Sequence, residues 1–122
     1  MRRGDVTRTA SFARSFMFDA AHHLSWHPGK CARLHGHTYR LKVTVTGLVE
    51  TNGVAIDITD LKNAAESTLI ELLDHTLLNE SIDNPATERV ALQTLDTLIR
   101  AGLPVTPVRF LEASDCCVEV QP

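Results

Sequence analysis

Apolar residues in the first third of the chain recur with a period of two. Phe12, Phe16, Phe18, Ala20 and His22 share one parity within and just beyond Ser11–Ala20. That predicts a strand with one buried face, reaching His22 if it runs unbroken. The loop-forming residues Trp26, Pro28 and Gly29 follow. His35, His37, Tyr39, Leu41, Val43 and Val45 then take one parity, and Arg40, Lys42, Thr44 and Thr46 the other. This is a clear amphipathic strand. Thr51-Asn52-Gly53 signals a turn into a short strand, Val54 to Ile58.

The period then changes. Leu61, Ala65, Leu69 and Leu72 follow helical spacing, with Thr59 or Asp60 as N-cap and an end near Leu73-Asp74-His75. A second helix begins around Asn84 to Glu88, with Val90, Ala91, Leu95 and Leu98 as its stripe, and Gly102 and Pro104 stop it. Val105–Leu111 and Cys116–Val120 close the chain as strands. Strands, two helices and strands predict an α+β fold, an antiparallel sheet with helices on one face. Its exposed edges invite further pairing, so an oligomer is expected.

Composition narrows the class. The 122 residues suit one domain, with 1–10 as a solvated leader and 11–122 as the folded unit. A net charge of −3 with scattered signs argues against nucleic acid as a partner. No apolar run approaches a membrane span. Three cysteines, Cys31, Cys116 and Cys117, make no disulfide framework and fit a reducing, cytoplasmic setting. One of the adjacent pair is expected to be a small buried hydrophobe.

The chemistry concentrates in Cys31-Ala32-Arg33-Leu34-His35-Gly36-His37. On one strand, His35 and His37 point the same way, as two ligands of one metal must. His22, by parity, is the third ligand, ahead of its neighbour His23. Three imidazoles suit zinc, although copper, nickel and iron also accept them, and leave a fourth position open for chemistry. Cys31 is either a fourth ligand, closing a structural site, or a reactive thiol whose thiolate Lys30, Arg33 and a metal would favour. Asp74-His75 is either a plain helix end or an acid orienting a proton-shuttling histidine. Glu112, if buried, would need a partner such as the polar edge of a heterocycle.

The chain resembles the 6-pyruvoyltetrahydropterin synthase / 6-carboxytetrahydropterin synthase family. The matching segments are Phe18-Asp19-Ala20-Ala21-His22, the Cys31 to His37 motif with Tyr39, Gly53 to Asp57 with Leu61-Lys62, Leu73 to Asn79, and Asn84 to Glu88. The short cysteine-to-His-Gly-His spacing is similar to that of bacterial 6-carboxy-5,6,7,8-tetrahydropterin synthases of the 7-deazaguanine and queuosine pathway. The resemblance implies a T-fold, trimers closing a barrel, two trimers forming a homohexamer, and active sites at subunit interfaces. It implies Zn2+ on His22, His35 and His37, Cys31 as catalytic base and Asp74 with His75 as proton relay. It places Glu112 on the pterin ring and Thr87 and Glu88 near the pterin pocket; for Glu88 a first-turn acid favouring the helix dipole is an equal alternative. The implied substrate is 7,8-dihydroneopterin triphosphate, with Lys30, Arg33 and His27 as candidate triphosphate contacts. The implied products are 6-carboxytetrahydropterin, acetaldehyde and triphosphate. The alternatives are a lyase that stops at 6-pyruvoyltetrahydropterin, a relative serving a secondary deazapurine pathway, and a non-catalytic zinc protein. Ala86, Ala113 and Ile58 depart from the family pattern, where Thr, Thr and Phe are usual, and the final strand lacks a usual Tyr.

Overall fold

A computed structural model describes residues 8–49, 57–113 and 115–122, without the side chains of Glu112 and Ala113. Two long strands, β1 (Thr9–His22) and β2 (His35–Leu48), form its base. They pair antiparallel from Thr9↔Leu48 to His22↔His35. The alternation read from the sequence is the reason: Phe16, Phe18 and Ala20 on β1 and Tyr39, Leu41, Val43 and Val45 on β2 are all buried. The other face carries Ser15, Met17, Arg40 and Lys42 and is exposed. β1 does run unbroken to His22, which puts His22 directly across from His35.

The helix α1 (Ile58–Ala65) starts two residues earlier than Thr59 or Asp60 capping would allow. Asp57 is the N-cap, its carboxylate accepting from the Thr59 amide at 2.8 Å. The expected strand Val54–Ile58 is therefore corrected at Ile58, which is helical; residues 51–56, with the Thr51-Asn52-Gly53 turn, lie outside the described residues. A π-helical stretch, Glu66–Ile70, links α1 to the short α2 (Glu71–Leu73). Here Ser67 Oγ donates to the Asn63 carbonyl at 2.8 Å, and Thr68 Oγ1 donates to the Ala64 carbonyl. Such back-bonding competes with the ordinary ladder, and the wider π turn advances the register. The buried stripe becomes Leu61, Ala65, Leu69 and Leu73; Leu72, expected inward, is 66% exposed.

A two-residue strand β3 (Thr76–Leu77) then pairs parallel with Ala20 and Ala21 of β1. It departs from the expected wholly antiparallel sheet. The helix α3 (Thr87–Arg100) buries Val90, Ala91, Leu95 and Leu98 and ends at Gly102, whose φ of 88° is the left-handed geometry glycine tolerates. β4 (Val105–Ala113) and β5 (Cys116–Val120) complete a sheet of order β3-β1-β2-β4-β5, with the helices over one face. Cys116 and Cys117 are both exposed, correcting the expectation that one is buried: β5 is the edge strand, and only Val118 and Val120 pack against the core. Among the described residues no helix is long and apolar enough to cross a membrane.

Candidate metal centre and active site

Parity carries three imidazoles to one end of the helix-covered face. His22 closes β1, while His35 and His37 open β2, and one ring nitrogen from each lies within 4.8 Å of the others. His22 is 1% exposed. Its Nδ1 lies 2.7 Å from the Pro85 carbonyl, and His35 Nδ1 lies 2.7 Å from the Arg33 carbonyl. A carbonyl only accepts, so both rings carry their proton on Nδ1 and keep a lone pair on Nε2. The His22 Nε2 is buried with no hydrogen-bond partner, a costly state for an imidazole nitrogen unless something else takes it. A ring proton held by a carbonyl and a bare inward nitrogen form the outer-shell pattern of metal-ligating histidines. The residues present therefore fit a divalent metal such as zinc.

The Asp74–His75 pair is built differently. The helix stops at Asp74, whose backbone turns to ψ 132°, and His75 takes a φ of 59°. The main chain of Asp19 holds both residues: its amide donates to Asp74 Oδ1 at 2.9 Å, and its carbonyl accepts from the His75 amide at 2.6 Å. His75 Nδ1 lies 3.0 Å from Asp74 Oδ2. The Asp19 amide is the main cause holding the Asp74 carboxyl below the usual carboxylate range; burial works against it and His75 assists. The His75 side chain is 78% exposed and stands in the wall of an open cleft of about 590 Å³, with Asp19, His37 and Thr38. The plain helix-end reading of this pair thus omits its anchoring to β1.

Cys31 sits half-buried, as a free thiol, in a turn of 3-10 helix (Lys30–Ala32) within the loop joining β1 to β2. The loop is pinned where the Leu24 amide donates to the Cys31 carbonyl at 2.8 Å. Among the described residues, two groups of metal-competent side chains form, His22/His35/His37 and Asp19/Asp74/His75, and Cys31 belongs to neither. The first of these groups offers three imidazoles to a metal. Lys30 and Arg33 are exposed on the same loop, and the half-buried His27 accepts the Gly29 amide on Nδ1 at 2.9 Å.

Thr87 is buried at the start of α3, and Glu88 beside it is exposed in the helix's first turn. The backbone of Glu112 lies in β4, and its side chain lies outside the described residues. Sequence reasoning missed the groups that orient the His22 and His35 rings, the Pro85 and Arg33 carbonyls. Main-chain groups leave no residue-type signal. It also passed over Asn79, whose carboxamide accepts the His23 amide at 3.0 Å and donates to the His23 carbonyl at 2.9 Å.

Comparison with known proteins places these features in a family. Residues 11–122 match the family described as 6-pyruvoyl tetrahydropterin synthase. A putative 6-carboxy-5,6,7,8-tetrahydropterin synthase of Archaeoglobus fulgidus is 37% identical over 107 residues, covering 88% of this chain and 91% of that protein. The 6-carboxy-5,6,7,8-tetrahydropterin synthase of Synechocystis is 38% identical over 98 residues, 75% of this chain and 76% of that one. A dihydroneopterin monophosphate aldolase of Pyrococcus furiosus is 40% identical over 87 residues, 71% and 72% of the two chains. In fold, the chain is similar to the 6-pyruvoyl tetrahydropterin synthase of Caenorhabditis elegans, with a TM-score of 0.85 at 22% identity over 94% of this chain and 96% of that one. The architecture is the T-fold, and the chain belongs to the 6-pyruvoyl tetrahydropterin synthase family.

Proposed function

We propose that the chain is a zinc-dependent 6-carboxy-5,6,7,8-tetrahydropterin synthase. It converts 7,8-dihydroneopterin triphosphate and water to 6-carboxytetrahydropterin, acetaldehyde and triphosphate, in the cytoplasm, on the route to 7-deazaguanine and queuosine. The observation carrying this reading is the converging triad, with the His22 and His35 ring protons held by carbonyls, in a chain similar at 37% and 38% identity to a putative and a named 6-carboxy-5,6,7,8-tetrahydropterin synthase.

Zinc held by His22, His35 and His37 would supply Lewis-acid stabilisation of negative charge on a substrate oxygen. The chain's own groups move the protons. Cys31, outside the ligand set, takes a proton from the polarised side-chain carbon. His75, oriented by an Asp74 that stays ionised, returns or relays protons. Glu112 holds the pterin ring, with Thr87 and Glu88 at its pocket. Lys30, Arg33 and His27 meet the triphosphate. The working form is a homohexamer: β5 is an edge strand, and β3 pairs with only Ala20 and Ala21 of β1, so both sides of the sheet keep main chain to pair.

The test is turnover of dihydroneopterin triphosphate with product identification, with and without a chelator. Acetaldehyde with the carboxy product, abolished by chelation and restored by zinc, is expected. Triphosphate release with a pyruvoyl product and no acetaldehyde overturns the assignment. The Pyrococcus relative favours a second reading, an aldolase acting on dihydroneopterin monophosphate. Supplying that substrate in parallel separates the two, because only the second cleaves it with the phosphate ester retained.

A further inference from the structure

The segment from Asp74 to Pro85 is fastened at several points to the end of β1 and the residues that follow it. The Asp74 carboxylate and the His75 amide bind the main chain of Asp19. Thr76 and Leu77 pair with Ala20 and Ala21. The Asn79 carboxamide then grips both main-chain groups of His23, and the Pro85 carbonyl receives the His22 ring proton. A last contact joins Asn84 Oδ1 to Trp26 Nε1 at 2.6 Å. One run of chain therefore supports the Asp74–His75 pair and the most buried histidine of the triad.

Asn79 has a singular place in this run. It is the only residue in it, among the described hydrogen bonds, whose side chain satisfies an amide and a carbonyl of one partner. That partner is His23, next to the ligand His22 and one residue beyond the end of β1 at His22. Beyond that point no β2 residue pairs with the strand, so nothing in the sheet fixes where His23 goes. The carboxamide substitutes for the missing strand partner: it accepts where a strand carbonyl would accept and donates where a strand amide would donate. Six residues further along the same segment, the Pro85 carbonyl meets the His22 ring.

We infer that Asn79 is a positioning residue for the metal centre. It holds His22 through the main chain of His23 and keeps the Pro85 carbonyl within reach of the ring. The inference rests on the reading of the triad as a metal site. It concerns binding, so it can be read without turnover. A group of this outer kind typically alters metal affinity by about ten- to a hundredfold.

The experiment measures zinc affinity of the full chain by competition with a chromogenic chelator, for the wild type, Asn79→Ala and Asn79→Asp. Circular dichroism and the emission of Trp26, the one tryptophan of the chain, report folding and the state of the same segment. The expected result is native circular dichroism with zinc binding about ten- to a hundredfold weaker in Asn79→Ala. Asn79→Asp keeps an acceptor for the His23 amide but sets a carboxylate oxygen against the His23 carbonyl, so it is expected to weaken zinc binding as well. A folded Asn79→Ala that binds zinc within threefold of the wild type overturns the inference, as does Asn79→Asp with wild-type affinity. Failure of both variants to fold also overturns it, since the residue would then serve the fold and not the ligand. A wild type that binds no zinc is a different failure and removes the metal reading itself.

Discussion

The histidine triad and the Asp74–His75 pair meet at the same end of β1, yet they are made by opposite means. The triad is a product of strand periodicity: three side chains of matching parity, one of them 1% exposed, with the ring protons of His22 and His35 tied to carbonyls. The pair is a product of chain termination: a helix stops, His75 adopts a φ of 59°, and its side chain is left 78% exposed. Burial suits a group that must keep its lone pairs bare. Exposure in an open cleft suits the proton exchange proposed for His75. The two differ in what they require of the fold, and so in how they should fail.

The largest separation is expected from removing a ligand. His22→Ala should weaken zinc binding by more than about a hundredfold, beyond the loss of an outer-shell group. It also leaves the buried Pro85 carbonyl without its donor, costing about 1–3 kcal/mol in the metal-free protein. Chelator competition and thermal melting of the apo chain check both effects. A His22→Ala protein that retains tight zinc would erase the distinction between the two regions.

Next come the groups assigned to proton transfer. Cys31→Ala and His75→Ala should each keep zinc and native melting while turnover falls by about a hundred- to ten-thousandfold. Zinc content per chain, measured beside turnover, separates this from ligand loss. If Cys31→Ala lost zinc and fold together, the thiol would belong with the triad as a structural ligand.

The smallest effect is on pH dependence. The Asp19 amide, aided by His75, holds the Asp74 carboxyl below the usual carboxylate range, so the folded state favours the ionised form. Such a group stabilises the protein above its unfolded pKa and loses that contribution as pH falls through its folded value. The stability difference between wild type and Asp74→Asn should therefore be greatest near neutrality and shrink in acid, below the ordinary carboxylate range. Denaturant midpoints across that range check the sign; a difference that grows in acid would contradict it.

The contrast also explains how much was legible beforehand. Period-two alternation is local, so the pairing of β1 with β2, the shared direction of His35 and His37 and the inclusion of His22 could be read from residue types alone. The identity of Leu73 as the last inward residue could not, because it depends on a π turn made by Ser67 and Thr68 hydroxyls bonding to carbonyls. The anchoring of the Asp74–His75 pair was equally hidden. It uses the main chain of Asp19, fifty-five positions from Asp74, and no side-chain pattern announces a backbone donor. The exposure of Cys116 and Cys117 turned on which strand lies at the sheet's edge, a property of topology and not of alternation.

The central claim is that three imidazoles hold the metal and leave its fourth position to the substrate, with the Cys31 sulfur unbound. X-ray absorption at the zinc edge of the loaded protein tests it most directly. The account predicts three imidazole nitrogens at about 2.0–2.1 Å with one further oxygen, and no sulfur. A sulfur scatterer at about 2.3 Å would make the site closed and structural, and would contradict it.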